Sequence, residues 1–372
     1  MVVAILAFSL VWILHIGKKE AVDGKTSIRA RKRRLVAVLS ISIPILLLVF
    51  VVSLAYGPGG NMTISETFSH LLSAISKKGT NLNKYEIFVY YSRLPRALGA
   101  LAVGIGLATA GVMYQAVIRN PLVDPYITGV SSGAGLAAVT GIVMGSSIGF
   151  MSGSIFMIPI MAIIGGLAAF GATMLIAEKS GGSSVNYVLA GVIIGFALSA
   201  VQTLILTFAG NNLHGAIFWL FGSFTGMNWN NIWFLLIPAL GISFTSLIWA
   251  RDLNVILLGE EQAKQMGMNV RKFNIMIMVT ASVLTAICVA FVGIIGFVGL
   301  VVPHACRMIL GGDHRFVIPA SIVLGGILLL CTDFIARMAY VPFELPIGAI
   351  TAMIGAPVFA YLLIKKGRMY NG

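Results

Sequence analysis

The sequence predicts an all-α polytopic membrane protein of about ten transmembrane helices, with residues 1–16 a candidate for one extra helix at the N-terminus. Three observations predict it. Of the 372 residues, 58% are hydrophobic and 10% charged, whereas a soluble domain averages roughly 25% charged. Apolar stretches near the ~20 residues that cross a hydrocarbon core recur along the whole chain. Lys and Arg fall in alternate turns, so that each turn expected inside is basic, as positive-inside topology requires.

The net charge of +13 is scattered between apolar spans and forms no single stripe, so a nucleic-acid partner is excluded. Cys288, Cys306 and Cys331 lie in apolar stretches without C-x-x-C spacing and read as buried thiols, indicating neither a metal site nor a disulfide.

Residues 17–34 carry eight Lys and Arg, including Arg31-Lys32-Arg33-Arg34, and belong inside. The spans expected after them are 35–56 outward, 93–118 inward to Arg119, 126–146 outward and 155–177 inward to Glu178 and Lys179. They continue with 186–209 outward, 229–250 inward to Arg251, 273–293 outward and a short 297–311 inward, interrupted by Pro303. Span 316–335 goes out, and 346–364 returns to Lys365, Lys366 and Arg368, so the C-terminus is expected in the cytoplasm. The chain thus divides into an N-terminal segment, 1–34, and a ten-helix domain, 35–368, with its longest inner loop at 252–272. An outer stretch at 57–92 holds a short helix near Ser65 to Ile75, and another outer stretch covers 210–228. At 1.5 Å per residue, segment 1–16 spans roughly 24 Å, marginal for a crossing. It has no basic n-region or small-residue cleavage site, which argues against a secretory signal. Gly141 and Gly145, Gly191 and Gly195, and Gly222 and Gly226 have the spacing that lets helix backbones approach in lipid.

Catalytic patterns do not emerge. Gly24-Lys25-Thr26 resembles the end of a phosphate loop, but Lys19 stands where the first glycine is needed and no strand precedes it. The chain is therefore expected to bind no ATP, cofactor or metal itself. The five histidines show no paired-ligand spacing and no G-x-S-x-G occurs. Asp333 stands four residues before Arg337, one helical turn away, which makes a local ion pair; a proton relay is the sharper alternative.

Three features carry function. Arg93 and Arg96, in Ser92-Arg93-Leu94-Pro95-Arg96, and Arg337 fall on the outer side, against the charge rule. A docking site for an acidic soluble partner accounts for them. Leu258 to Gly267 on the inner loop reads as a short amphipathic helix, either a solvated loop element or one that slots into a cytoplasmic motor subunit. The turn Arg119-Asn120-Pro121-Leu122-Val123-Asp124-Pro125 cannot continue a helix. It is either a stiff connector or a pore constriction.

These segments, in this order, resemble the permease subunits of ABC importers for iron–siderophore complexes, haem and cobalamin. The matching stretches are 92–96, 115–125, 129–135, 189–192, 258–267, Gly296 to His304, and Glu344-Leu345-Pro346-Ile347-Gly348 through Phe359. They cover about residues 35–368. The resemblance implies the type II importer fold and a homodimer in the cell membrane, with its path at the dimer axis. It also implies two cytoplasmic ATPase subunits that hold ATP and magnesium, and an extracytoplasmic substrate-binding protein. It assigns Arg93, Arg96 and Arg337 to docking of that protein and Leu258, Gly259, Glu260 and Gly267 to ATPase coupling. Asn120, Leu122, Ser184 and Val185 are implied at an inner gate, although Val185 replaces the hydroxyl residue expected there. The ligand expected on family breadth is an iron complex, with cobalamin the alternative. An ion-coupled secondary carrier, the alternative of another class, tends to place ionisable residues near the bilayer midplane, whereas here nearly all charges lie at span ends.

Overall fold

The structure is a computed structural model that describes residues 28–148 and 154–370. Segment 1–16 and the Gly24-Lys25-Thr26 motif lie outside the described residues. The described elements are helical. They are α1 (Ile28–Ala55), α2 (Ile64–Ser76), α3 (Lys84–Ile87), a π-helical turn (Phe88–Arg93), α4 (Leu94–Val117) and a 3-10 turn (Pro125–Thr128). There follow α5 (Val130–Ile148), α6 (Met157–Lys179), α7 (Ser184–Thr207), α8 (Leu213–Leu220), α9 (Trp229–Thr245) and α10 (Ala250–Leu257). The chain finishes with α11 (Glu260–Gln265), α12 (Val270–Val292), α13 (Val298–Leu310), α14 (His314–Met338) and α15 (Ile347–Tyr370).

Six of these segments are long and apolar enough to cross a membrane alone: α1, the continuous stretch Lys84–Val117, α6, α7, α12 and α14. The α9–α10 pair makes a seventh, bent by 58°, and α5, α13 and α15 contain the three shorter apolar helices. These ten segments lie where the ten spans were expected, with three differences. First, α1 already includes Ile28, so the basic run Arg31 to Arg34 lies within the helix. Second, α8 occupies part of the outer stretch expected at 210–228, to which no helix was assigned. Third, the segment after Trp249 is not yet loop: Ala250, Leu253 and Ile256 bury one face of α10, a 3.6-residue period that the abrupt bend hides.

The short helix α2 forms because Thr63 and Glu66 cap each other reciprocally: the Glu66 carboxylate accepts from the Thr63 N–H at 2.8 Å, and the Thr63 hydroxyl accepts from the Glu66 N–H at 3.2 Å. Asn83 and Glu86 repeat the device before α3. The π-helical turn precedes Pro95, whose ring cannot donate and crowds the carbonyl four residues back. The chain widens instead, and the Leu94 N–H bonds to the Val89 carbonyl, five residues back.

Helix α4 is the axle of the bundle, and almost every residue from Pro95 to Val117 is buried. Its glycines allow backbone-to-backbone approach. A Cβ on Gly104 would lie 2.2 Å from the Gly325 carbonyl oxygen of α14, and one on Gly111 would lie 1.9 Å from the Gly299 carbonyl oxygen of α13. Gly133 of α5 and Gly165 of α6 meet likewise, at 2.3 and 2.4 Å from each other's carbonyl oxygens. Of the spaced glycines singled out in the sequence, Gly191 packs this tightly, since a Cβ there would lie 2.0 Å from the Ile127 carbonyl oxygen, whereas one on Gly226 would meet nothing within 4 Å. The more consequential pair, Gly104 and Gly111, is two helical turns apart and escapes a four-residue pattern. All three cysteines are free and buried.

Between α12 and α13 the chain unwinds from Gly293 to Phe297, and Phe297 takes a left-handed φ of 68°. Backbone groups that leave a helix among buried apolar side chains must find partners in the protein. Here Ser223 N–H donates to the Val292 carbonyl at 2.8 Å, and the Tyr126 hydroxyl donates to the Ile295 carbonyl at 3.0 Å.

The backbone contact at Gly111 sets a prediction. Gly111→Ala forces a methyl group into a carbonyl oxygen and should cost about 3 kcal/mol or more, the upper range of overpacking. Gly241→Ala, which meets nothing within 4 Å, should be neutral or gain up to ~1 kcal/mol in helix propensity. Thermal unfolding of both variants in detergent checks the contrast.

Candidate functional site

Two polar assemblies stand at opposite ends of the bundle. At one end, the structure brings Arg93, Arg96 and Arg337 together from three parts of the chain. An exposed basic patch is not what it shows: the three residues are 3%, 7% and 3% exposed. Arg93 Nη1 donates to the carbonyls of Leu54 and Ala55 at 2.9 Å, and Nη2 to those of Gly57 and Gly60. The last carbonyls of α1 have no partners within the helix, and a cation there is favoured by the helix dipole. Arg337 Nη2 donates to the Ser53 hydroxyl at 2.6 Å, so both guanidiniums close the end of α1.

Asp333 is fully buried and sits between two arginines. Its Oδ1 accepts from Arg96 Nε at 2.8 Å, and its Oδ2 lies 3.1 Å from Arg337 Nε, the pair one helical turn apart. Glu344 completes the cluster from the segment between α14 and α15, where Arg96 Nη1 reaches both its oxygens at 2.8 and 2.9 Å. Burial alone would raise the Glu344 carboxyl, but Arg96 and Thr225 outweigh it and hold it below the usual carboxylate range. Sequence reasoning gave Asp333 only its neighbour Arg337 and missed Glu344. The charge contrast within Glu344-Leu345-Pro346 was the signal available.

At the other end lie the inner-loop residues. Helix α11 is framed by glycines whose φ values, 116° at Gly259 and 84° at Gly267, other residues rarely adopt. The Met268 N–H returns to the Ala263 carbonyl at 3.1 Å and closes the helix end. Leu258 is 57% exposed. Glu260 accepts from Arg119 Nη2 at 3.3 Å, which ties α11 to the turn that follows α4. Both side chains are substantially exposed, so the pair adds no more than ~1 kcal/mol of stability and matters for position. In that turn the Asn120 side chain accepts from the Leu122 N–H at 3.0 Å. Asp124 caps the following 3-10 turn by accepting from the Tyr126 N–H.

The second turn at this end, 180–184, is capped by Ser183 and leads into Ser184 and the exposed Val185. Glu178 beside it accepts from Arg271 and from the Tyr187 hydroxyl. A cleft of about 420 Å³ runs between this turn and the loop, lined by Glu178, Gly181, Glu260, Lys264 and Arg271 among others. Each turn is thus linked to one end of the stretch 260–271: Arg119 to Glu260, and Glu178 to Arg271. A buried link that sequence reasoning missed lies just above. Gln115 donates to the Val123 carbonyl at 3.0 Å and to the Gly299 carbonyl at 3.2 Å, and its own oxygen accepts from Arg307. Among the described residues no group of His, Cys, Asp and Glu is arranged to hold a metal ion.

The arginine cluster sets a prediction. Arg96→Met takes from the fully buried Asp333 one of its two guanidiniums and from Glu344 its only one, and should destabilise by about 3–5 kcal/mol. Arg119→Met, which removes an exposed pair, should cost less than ~1 kcal/mol. Denaturation of the two variants in the same detergent compares them.

The profile of the FecCD transport family matches residues 45–365. The Fe(3+)-citrate import system permease protein YfmE of Bacillus subtilis is 35% identical over 350 residues, 92% of this chain and 99% of that protein. The cobalamin import system permease protein BtuC of Halobacterium salinarum is 38% identical over 279 residues, 75% of this chain and 73% of that protein. A solved structure, described as a proposed metal-chelate type ABC transporter in an inward-facing conformation, superposes with a TM-score of 0.75. It shares 30% identity over 88% of this chain and 99% of that one.

Proposed function

Because this chain belongs to the FecCD transport family, we propose that its two polar ends are the two partner-facing ends of an ABC importer permease that carries an iron complex. The observation that carries this reading is the likeness to the Fe(3+)-citrate import permease, which spans 92% of this chain. The metal-chelate description of the matched structure agrees. The cobalamin permease relatives support a second reading, a corrinoid cargo moved by the same architecture. The chain itself is a multi-pass membrane subunit, not an enzyme, and ATP hydrolysis falls to a separate subunit.

The proposed orientation follows the charges. Arg31, Arg119, Lys179, Arg271 and Arg315 stand at helix ends on the side of the 260–271 stretch, which positive-inside topology places in the cytoplasm. The arginine cluster then faces outward, where a binding protein delivers its ligand. Two copies of the chain and two ATPase subunits complete the assembly. The exposed apolar faces of α7 and α15, with Phe196 and Met353 about three-quarters exposed, offer surface for lipid or for the second copy. Helix α11 is the element the ATPase moves, and its links to the turns at Asn120–Leu122 and Ser184–Val185 carry that motion to an inner gate. ATP binding then biases the dimer between two states by differential contacts.

Transport is tested in proteoliposomes that hold this chain with its ATPase. Uptake of an iron chelate should require both ATP and the binding protein, and uptake driven by an ion gradient alone would refute the importer reading. Coupling is tested at the α11 link: Glu260→Lys should leave ATP hydrolysis and lower transport by about tenfold, and the swap Glu260→Arg with Arg119→Glu should restore much of it. Such a loss corresponds to ~1.4 kcal/mol, within the usual range of coupling energies. Docking is tested by salt. The rate of binding-protein capture should fall as ionic strength rises about tenfold, since long-range steering toward a cationic end is screened, and a capture rate indifferent to salt would count against the arginine end.

A further inference from the structure

The two carboxylates of the arginine cluster are not equivalent. Asp333 is fully enclosed and bridges α4 and α14. Glu344 is its most accessible charged member, with the side chain 22% exposed against 8% for Arg96, and it lies on a short connecting segment and not in a helix. Besides Arg96, its Oε2 accepts from the Thr225 hydroxyl at 2.8 Å.

The charge count is uneven. Three guanidiniums face two carboxylates, and Arg93 is served by carbonyls alone. Arg96 Nη2 is buried and has no acceptor among the described residues. An incompletely paired buried cation is costly, so the cluster has room in its electrostatics for one more anion. Any such anion reaching Arg96 meets Glu344 first, because Glu344 holds the Nη1 that a newcomer would need for a two-point contact.

We infer that Glu344 is a stand-in carboxylate, which occupies Arg96 in the undocked permease and yields it to a carboxylate from an acidic lobe of the docking protein. This rests on the docking reading above and adds what must leave for docking to occur. The exchange replaces one carboxylate by another, so Arg96 is never left unpaired at depth and the landing stays reversible. It also has a mechanical result. The segment that carries Glu344 runs straight into α15, where the Ile347 N–H bonds to the Gly222 carbonyl at 3.0 Å and the Gly348 N–H to the Phe221 carbonyl at 2.9 Å. Through Thr225 and these two bonds, release of Glu344 is felt at the 221–225 turn and at the start of α15 together.

The test uses the full-length chain in lipid nanodiscs, phenylglyoxal as a guanidinium reagent, and peptide mapping of Arg96 by mass spectrometry. Arg96 should be labelled slowly in the native protein and about tenfold faster in Glu344→Gln, the ratio that corresponds to one charge-assisted bond of ~1.4 kcal/mol. Added hexaglutamate should protect Arg96 at lower concentration in the variant than in the native protein. Labelling at the native rate in a correctly assembled Glu344→Gln protein would overturn the proposal, as would faster labelling that hexaglutamate does not slow. Should Glu344→Gln fail to assemble, Thr225→Val loosens the same carboxylate without touching the arginines. It should speed labelling about threefold, and an unchanged rate overturns the proposal equally. The docking reading is judged by a different readout, the salt dependence of binding-protein capture, so the two ideas fail separately.

Discussion

The bundle depends on a helix that has almost no side chains where it matters. In lipid, burying apolar surface supplies little drive for helices to associate, and packing and polar contacts take its place. Helix α4 meets this constraint by exposing bare backbone at Gly104 and Gly111 to the carbonyls of α14 and α13. Contacts this close position α4 within a fraction of a side-chain width, and the polar residues at its two ends inherit that precision. Arg96 stands in its first turn, and Gln115 and Arg119 stand in and beyond its last.

The two ends use charge differently. At the loop end, the charged pairs Arg119–Glu260 and Arg271–Glu178 are partly open to solvent and hold the 260–271 stretch weakly. At the arginine end, the charges are buried and multiply bonded, and they fasten the end of α1 to α4 and α14. Removing one partner there leaves an uncompensated charge inside the protein, the most costly kind of loss. An end built this way resists deformation, and its most accessible charged member is Glu344.

Most of the helical layout was legible in the sequence, because a span announces itself by length and composition. Nine of the ten spans needed no more than apolar stretches and their flanking Lys and Arg; the tenth, α9–α10, bends after Thr245, where no glycine or proline marks the break. The two-glycine frame of α11 could be read at Gly259 and Gly267, since each marks a backbone conformation that other residues avoid. The burial of Arg93, Arg96 and Arg337 could not. A lone arginine at a span end looks the same whether it faces water or a carboxylate, and the partners of Arg96 lie 237 and 248 residues away in sequence. Only the tertiary fold brings Asp333 and Glu344 to it. The Gln115–Arg307 bond, 192 residues apart, was hidden for the same reason.

The widened turn before Pro95 carries a consequence of its own. In a π-helical frame the Tyr90 carbonyl would look to residue 95 for its donor, and proline has none to give. The vacancy is filled from elsewhere: the indole N–H of Trp229 donates to that oxygen at 2.8 Å. The first residue of α9 is thereby latched to the shoulder of α4, with its ring beside those of Tyr90 and Trp233. One extra residue in a helix turns everything before it by about 100°, so the phase of this turn decides which way Arg93 points. A proline, a tryptophan and an odd turn of backbone together set the bearing of the arginine that ends that turn.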